Sequence, residues 1–340
     1  MKRLFFIIGI STMLAGAVYG ADVQSIALCV HPAVGGARIP EALVLNISRI
    51  DMLMPMWFDI TDTGDVRPRE GCAPPYDGYR ALCTSNNVLL MPIMRNFKPA
   101  KFLADMSART AAVDAVMNAV SSYRFDGILL DIEEITKADT ASHVEFAEAL
   151  GARMRSEKRT FAIAVNTRSR GEWDYTRLAA ASDHLFCMFY DYAGPWKKVI
   201  APTAPMRWKE NPNDIERDLT SILASGVDAK KIIFGIAFYG IDFTLNDDGS
   251  MKQAALLYHD QIERAIAGRA VESGWDADYA STWVKYIDDK KQAHIVWRED
   301  VSAYAAKTAF ARSNGIRSIG IWAVTKTGGA DPAIWPLLPE

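Results

Sequence analysis

Short apolar runs alternate along the chain with longer segments in which apolar positions recur every three to four residues. The runs at 25–30, 52–58, 88–94, 127–131, 161–165, 184–189, 232–236 and 318–322 are almost continuously apolar. Strands read this way when both faces of their sheet are covered. Helical periodicity marks 108–123, 141–156, 214–225 and 301–313, with Asn213, just after Pro212, expected to cap the third of these. Strands separated by helices imply a parallel sheet. Eight such units over residues 21–340 predict an α/β fold, a (β/α)8 barrel. A doubly wound open sheet competes with it, but would carry a glycine-rich loop after the first strand. Val34-Gly35-Gly36 lacks that G-x-G-x-x-G spacing.

One stretch, 242–300, is too long for a strand-to-helix connection. It contains a polar turn (Asn246-Asp247-Asp248-Gly249-Ser250), a helical pattern at 254–267 and strand-like runs at 282–287 and 293–297. It reads as a small insertion after the seventh strand, above the face that bears active sites in such barrels.

The fourth run carries the candidate chemistry: Asp126-Gly127-Ile128-Leu129-Leu130-Asp131-Ile132-Glu133-Glu134. Side chains alternate across a strand, so Ile128, Leu130 and Ile132 share one face and Leu129, Asp131 and Glu133 the other. The wholly apolar face packs under helices. The other points into the barrel, apolar at depth and acidic toward the C-terminal end. Carboxylates two residues apart place their Cα atoms roughly 6–7 Å apart, within reach of one substrate group. Crowded in a partly dry pocket, such a pair separates in pKa, leaving one acid protonated near neutrality and one charged. Glu133, longer and nearer the mouth, is the expected general acid. Glu134 has the opposite parity and is expected to face the following loop. Asp126 starts the strand and is expected to fix backbone. An acid pair that caps a helix or binds an ion is the bland alternative.

Composition narrows the function. Half of the 340 residues are hydrophobic and the net charge is −3, with no Lys/Arg run, which argues against a nucleic-acid partner. Lys2 and Arg3 precede an apolar stretch at 4–18 and a short Val18-Tyr19-Gly20 site. This pattern predicts a signal peptide over 1–20, hence export to the periplasm or medium and no membrane span once it is removed. In an exported protein Cys72 and Cys83, flanking a Pro- and Gly-containing loop, are expected to form a disulfide, and Cys29 and Cys187 to be buried thiols. The five histidines show no HxxxH or HExxH spacing, so no metal and no cofactor is expected. Nothing calls for more than a monomer.

Asp126-Gly127-x-x-x-Asp131-x-Glu133 resembles the DGxDxDxE signature of glycoside hydrolase family 18. Further landmarks follow in that family's order. They are Met188-Phe189-Tyr190-Asp191 at the sixth strand, Gly235-Ile236-Ala237-Phe238-Tyr239-Gly240 at the seventh (Ala237 replacing Pro) and Gly320-Ile321-Trp322 at the eighth. Pro205-Met206-Arg207-Trp208, Val296-Trp297-Arg298-Glu299-Asp300 and Asp331-Pro332-Ala333-Ile334-Trp335 resemble the branch of spore-cortex and cell-wall N-acetylglucosaminidases. The resemblance spans 21–340, without a LysM-like wall-binding module.

The resemblance implies hydrolysis of a polysaccharide or oligosaccharide containing N-acetylglucosamine, by attack of the substrate's own 2-acetamido oxygen. The seventh strand carries no acid to serve as a nucleophile, which fits that route. Glu133 would donate a proton and later activate water, and Asp131 would orient the acetamide N–H. Tyr190 would bind the acetamide oxygen, Asp191 would support the site and Trp322 would lie under the ring. Trp57, Asn96 and Trp208 are further candidates for the sugar cleft. One departure stands out. Leu129 occupies a position that is usually Asp or Asn, which predicts a raised pKa for Asp131 and an altered pH profile or rate. A lectin-like barrel that binds without turnover is the alternative. An unrelated barrel hydrolase with a conventional acid nucleophile is a third reading.

Overall fold

The computed structural model describes residues 25–30, 39–96, 101–168, 172–324 and 335. The expected leader at 1–20 and most of the motif at 331–335 lie outside them.

Seven parallel strands come first: β1 (Ser25–Val30), β2 (Met52–Ile60), β3 (Ile93–Asn96), β4 (Gly127–Ile132), β5 (Thr160–Asn166), β6 (His184–Met188) and β7 (Ile232–Ala237). Five strands follow outside the barrel: β8 (Tyr239–Leu245), β9 (Met251–Tyr258), β10 (Val271–Asp276), β11 (Ser281–Ile287) and β12 (Ala293–Arg298). The chain then returns with β13 (Ser318–Val324). β13 pairs in parallel with both β7 and β1, and β1 pairs with β2, so eight strands close a ring. Helices α1 (Glu41–Asn46), α2 (Asp77–Ser85), α3 (Met106–Tyr123), α4 (Thr140–Ser156), α5 (Tyr175–Ala181), α6 (Ile215–Ala224) and α8 (Val301–Ser313) fall in the barrel's connections, and α7 (His259–Ile266) belongs to the insertion. This is the expected (β/α)8 barrel.

Local chemistry explains most boundaries. The third expected strand is interrupted at Met91-Pro92, where proline has no N–H for the ladder, and resumes to run through Asn96. Aspartates start four helices by accepting backbone N–H groups: Asp105 from Ala108, Asp174 from Arg177, Asp214 from Arg217 and Asp300 from Ser302 and Ala303. The cap of α6 is therefore Asp214 and not Asn213. The Asn213 amide instead donates to the Arg168 carbonyl at 3.0 Å.

The barrel floor depends on two glycines. A Cβ on Gly320 would lie 2.3 Å from the Phe186 ring, and one on Gly235 would lie 2.8 Å from it. Phe186 from β6 fills the space that β7 and β13 leave by having no side chain there.

The insertion is an antiparallel sheet in the order β9-β8-β12-β11-β10. The helix expected at 254–267 is divided, since β9 pairs with β8 along its length and only His259–Ile266 is helical. Pairing with a neighbour overrides the helical preference of Ala254-Ala255-Leu256-Leu257. Where β12 gives way to α8, Glu299 and Lys307 form a buried ion pair. Ser281 donates to that glutamate at 2.8 Å, and the lysine also reaches the Ala280 carbonyl at 3.1 Å.

The disulfide expected between Cys72 and Cys83 is not formed. Both are buried thiols that face different surroundings. Cys72 Sγ lies 4.0 Å from the Met56 carbonyl of β2, whereas Cys83 sits on the inward face of α2, close enough to Asp126 for that charge to help raise its pKa. Aromatic packing holds the loop between them: Tyr76 stacks on Trp57 at 4.3 Å, and Tyr79 meets the same ring edge-on at 5.1 Å.

Candidate active site

A cavity of about 350 Å³ opens at the C-terminal end of the barrel. Leu129, Ala164, Phe186 and Met188 give it apolar walls. Asp131, Glu133, Glu134, Tyr190, Asp191 and Trp322 supply its polar and aromatic groups. Its size is within the range of ordinary ligand sites.

β4 delivers the acid pair. Asp131 is almost wholly buried, above Leu129 on the inward face, and its Oδ1 has no hydrogen-bond partner among the described residues. Burial pushes its carboxyl up to about 7 and the Arg95 cation opposes this. Glu133 lies one residue past the strand and donates its N–H to the Asn96 carbonyl at 3.2 Å. Burial raises its carboxyl to about 8, helped by the charges of Asp131 and Asp191 and opposed by Arg168 and Arg95. Glu134 lines the same cavity, contrary to its strand parity, because the regular strand ends at Ile132. Asp126 accepts the Leu90 N–H at 2.9 Å and so ties β4 to the preceding segment.

Opposite the pair, Tyr190 and Asp191 follow β6. Asp191 has a left-handed backbone (φ 62°), uncommon for a residue other than glycine. Thr203 and Tyr239 hold it there. The Asp191 N–H donates to Thr203 Oγ1 at 3.1 Å, and its carboxylate accepts from the Tyr239 and Thr203 hydroxyls. Burial raises the Asp191 carboxyl and these hydrogen bonds lower it. Trp322 comes from β13, and its peptide bond to Ala323 is cis. Arg168 follows β5 and donates to the Tyr190 carbonyl.

Three candidates from the sequence lie elsewhere. Trp57 is completely buried behind the barrel wall against Tyr76, Tyr79 and Phe125, and does not line the cavity. Asn96 donates to the Ile60 carbonyl at 2.8 Å and is the register partner of Ile132, so it has outward parity. Trp208 is buried edge-on to Tyr279. Sequence reasoning missed Arg95, Arg168 and Thr203, and placed Tyr239 in the seventh-strand landmark without giving it a role. Arg95 was detectable in principle, because it is the neighbour of Asn96 with the opposite parity.

Residues 96–326 match the family model of glycosyl hydrolases family 18, about two thirds of the sequence. The chain belongs to that family. It is 25% identical over 294 residues to the cortical fragment-lytic enzyme of Bacillus subtilis, covering 79% of this chain and 63% of that one. It is 24% identical over 269 residues to human di-N-acetylchitobiase, covering 71% and 68%. A match to YdhD of Bacillus subtilis is 28% identical over 244 residues and covers 69% of this chain and 55% of that one. The chain thus spans less than two thirds of the length of both Bacillus subtilis relatives. Among solved structures, a chitinase from Chromobacterium violaceum superimposes with a TM-score of 0.77 at 22% identity, covering 92% of this chain and 97% of that one. The spore cortex-lytic enzyme SleL of Bacillus megaterium gives 0.74 at 19%, covering 92% and 72%.

Proposed function

We propose that the protein is an exported glycosidase that cleaves β-linked N-acetylglucosamine polymers, such as peptidoglycan or chitin-like chains, with retention and with the substrate's acetamide as nucleophile. The observation that carries this reading is the Asp131–Glu133 pair, the aspartate buried and the glutamate partly so, in one cavity with Tyr190 and Trp322, while β7 brings no acid. A conventional retaining site needs a second carboxylate free to attack across the sugar, whereas Asp191, the acid opposite the pair, accepts the Tyr239 and Thr203 hydroxyls.

Glu133, raised to about 8, holds its proton at neutral pH and gives it to the glycosidic oxygen as the bond to the anomeric carbon breaks. The acetamide oxygen closes on that carbon to form an oxazolinium-like ring. Asp131 accepts the acetamide N–H at its unpartnered oxygen, and its charge balances the ring's positive charge. Tyr190 donates to the acetamide oxygen. Glu133, now ionised, takes a proton from water as the water opens the ring. Trp322 places an aromatic face under the pyranose. Asp191 keeps Tyr190 in place through its bonds to Thr203 and Tyr239. The apolar leader at 4–18 supports export, and among the described residues no helix is long and apolar enough to cross a membrane.

The test is digestion of purified peptidoglycan and chitin oligosaccharides by the protein and by its Glu133→Gln variant, read by mass spectrometry. Products with a reducing N-acetylglucosamine end, absent with the variant, support the reading and select the substrate. Leu129 under Asp131 favours a second reading, a lectin-like barrel. Binding by both proteins without cleavage would establish that one instead.

A further inference from the structure

Asp131 has an apolar floor. The inward-facing residue two positions back is Leu129, so the side chain beneath the carboxylate is apolar. Its compensation comes from the side. In the barrel ladder Asp59 of β2 pairs with Arg95 of β3, and Arg95 pairs with Asp131 of β4. Three adjacent strands thus carry a negative, a positive and a negative residue in one register layer. Arg95 Nε meets Asp59 Oδ1 at 2.8 Å. The same oxygen lies 3.6 Å from Arg69 Nε. Two guanidiniums share one carboxylate.

We propose that Arg95, fixed by Asp59, is the positioning residue that keeps Asp131 ionised from the neighbouring strand. The Asp131 role itself rests on the glycosidase reading above; the charge row does not. Other groups that face Asp131 are the Cys29 thiol from β1, Glu133 from its own segment and the Tyr190 hydroxyl after β6. Arg168 after β5 and Asp191 after β6 act on Glu133. Among the groups acting on Asp131, Arg95 is the cation, and it works against the burial that favours the neutral acid. The unpartnered Oδ1 makes this support electrostatic at that oxygen.

The experiment is a carbon-13 NMR titration of aspartate-labelled protein without substrate, with the Asp131 signal assigned by its loss in Asp131→Asn. Arg95→Met should raise the Asp131 midpoint, because it removes the cation that opposes the effect of burial. Arg95→Lys should restore most of it. Asp59→Asn keeps an oxygen to hold Arg95 Nε but removes the charge that competes for the cation, so it should lower the midpoint, and this variant carries the test if Arg95→Met fails to fold. A midpoint unmoved by Arg95→Met, or unmoved by Asp59→Asn, overturns the proposal. Hydrolysis profiles of the same variants should shift their acid limb in parallel. Midpoints that move in a protein that cleaves nothing would sink the glycosidase reading and leave the charge row standing.

Discussion

The rings of Tyr190 and Trp322 lie 14° from parallel with centroids 6.4 Å apart, and both line the cavity that contains Asp131 and Glu133. One, Trp322, is partly buried and anchored by β13, and the other is buried after β6. Their roles should therefore separate in kinetics. Trp322→Ala removes a stacking face and should raise KM about tenfold or more, whereas Tyr190→Phe removes one hydrogen bond and should lower kcat by roughly 10²-fold with KM little changed. Steady-state kinetics on one oligosaccharide distinguishes the two.

Glu133→Gln should lower kcat by about 10²–10⁴-fold, the usual contribution of a positioned proton donor. Its stability should respond in the opposite direction. Glu133 binds its proton more tightly folded (about 8) than at its ordinary 4.5, so its ionisation opposes folding increasingly as pH rises through that window. Thermal melts of the wild type should therefore fall more steeply than those of the variant between pH 5 and 8, and the two should converge near pH 4.

The pH dependence of kcat/KM should be a narrow bell, because the proposed reaction needs Asp131 charged and Glu133 protonated. Its limbs belong to the pair, near 7 on the acid side and 8 on the alkaline side. Leu129→Asn gives Asp131 a hydrogen-bonding neighbour and should move the acid limb down. An unchanged limb and an unchanged rate would discard the idea that Leu129 tunes this acid.

Lys307→Met should destabilise the protein by roughly 3–5 kcal/mol, because it leaves the Glu299 charge buried and uncompensated. Lys307→Met with Glu299→Leu should recover much of that loss. Denaturant titrations of the single and double variants measure the difference.

All four cysteines are buried thiols. A thiol assay in denaturant without reductant should count four, and reductant should leave the melting temperature unchanged. A count of two would restore the Cys72–Cys83 bridge.

Much of the barrel was legible because its strands are covered on both faces, and nearly continuous apolar runs mark them whatever their neighbours are. The acid pair was legible because β4 is regular from Gly127 to Ile132, so parity could be carried as far as Asp131. Parity failed where backbone regularity failed. A register shift between Met56 and Phe58 separates the positions around Trp57 from a simple alternation, and Pro92 interrupts the ladder just before Arg95. Glu134 entered the cavity because the strand had already ended. An aromatic residue at a strand end reads the same whether it faces sugar or core, and for Trp57 the partners that decide, Tyr76 and Tyr79, come from a helix and its cap. The insertion was hardest to read. Its strands are half-buried, and pairing partners far away in sequence decided what Ala254-Ala255-Leu256-Leu257 became.

Only Phe238 separates β7 from β8, and the first residue of β8, Tyr239, gives its hydroxyl to Asp191. The added sheet is thus no detachable cassette. Exchanging it for a relative's would transplant the hydroxyl that holds Asp191, and trimming it would cut the strand that steadies Asp191. The far edge of the sheet, Val271–Asp276, lies three strands away from that bond, and change there is mechanically remote from it. The β7–β8 junction has no such latitude.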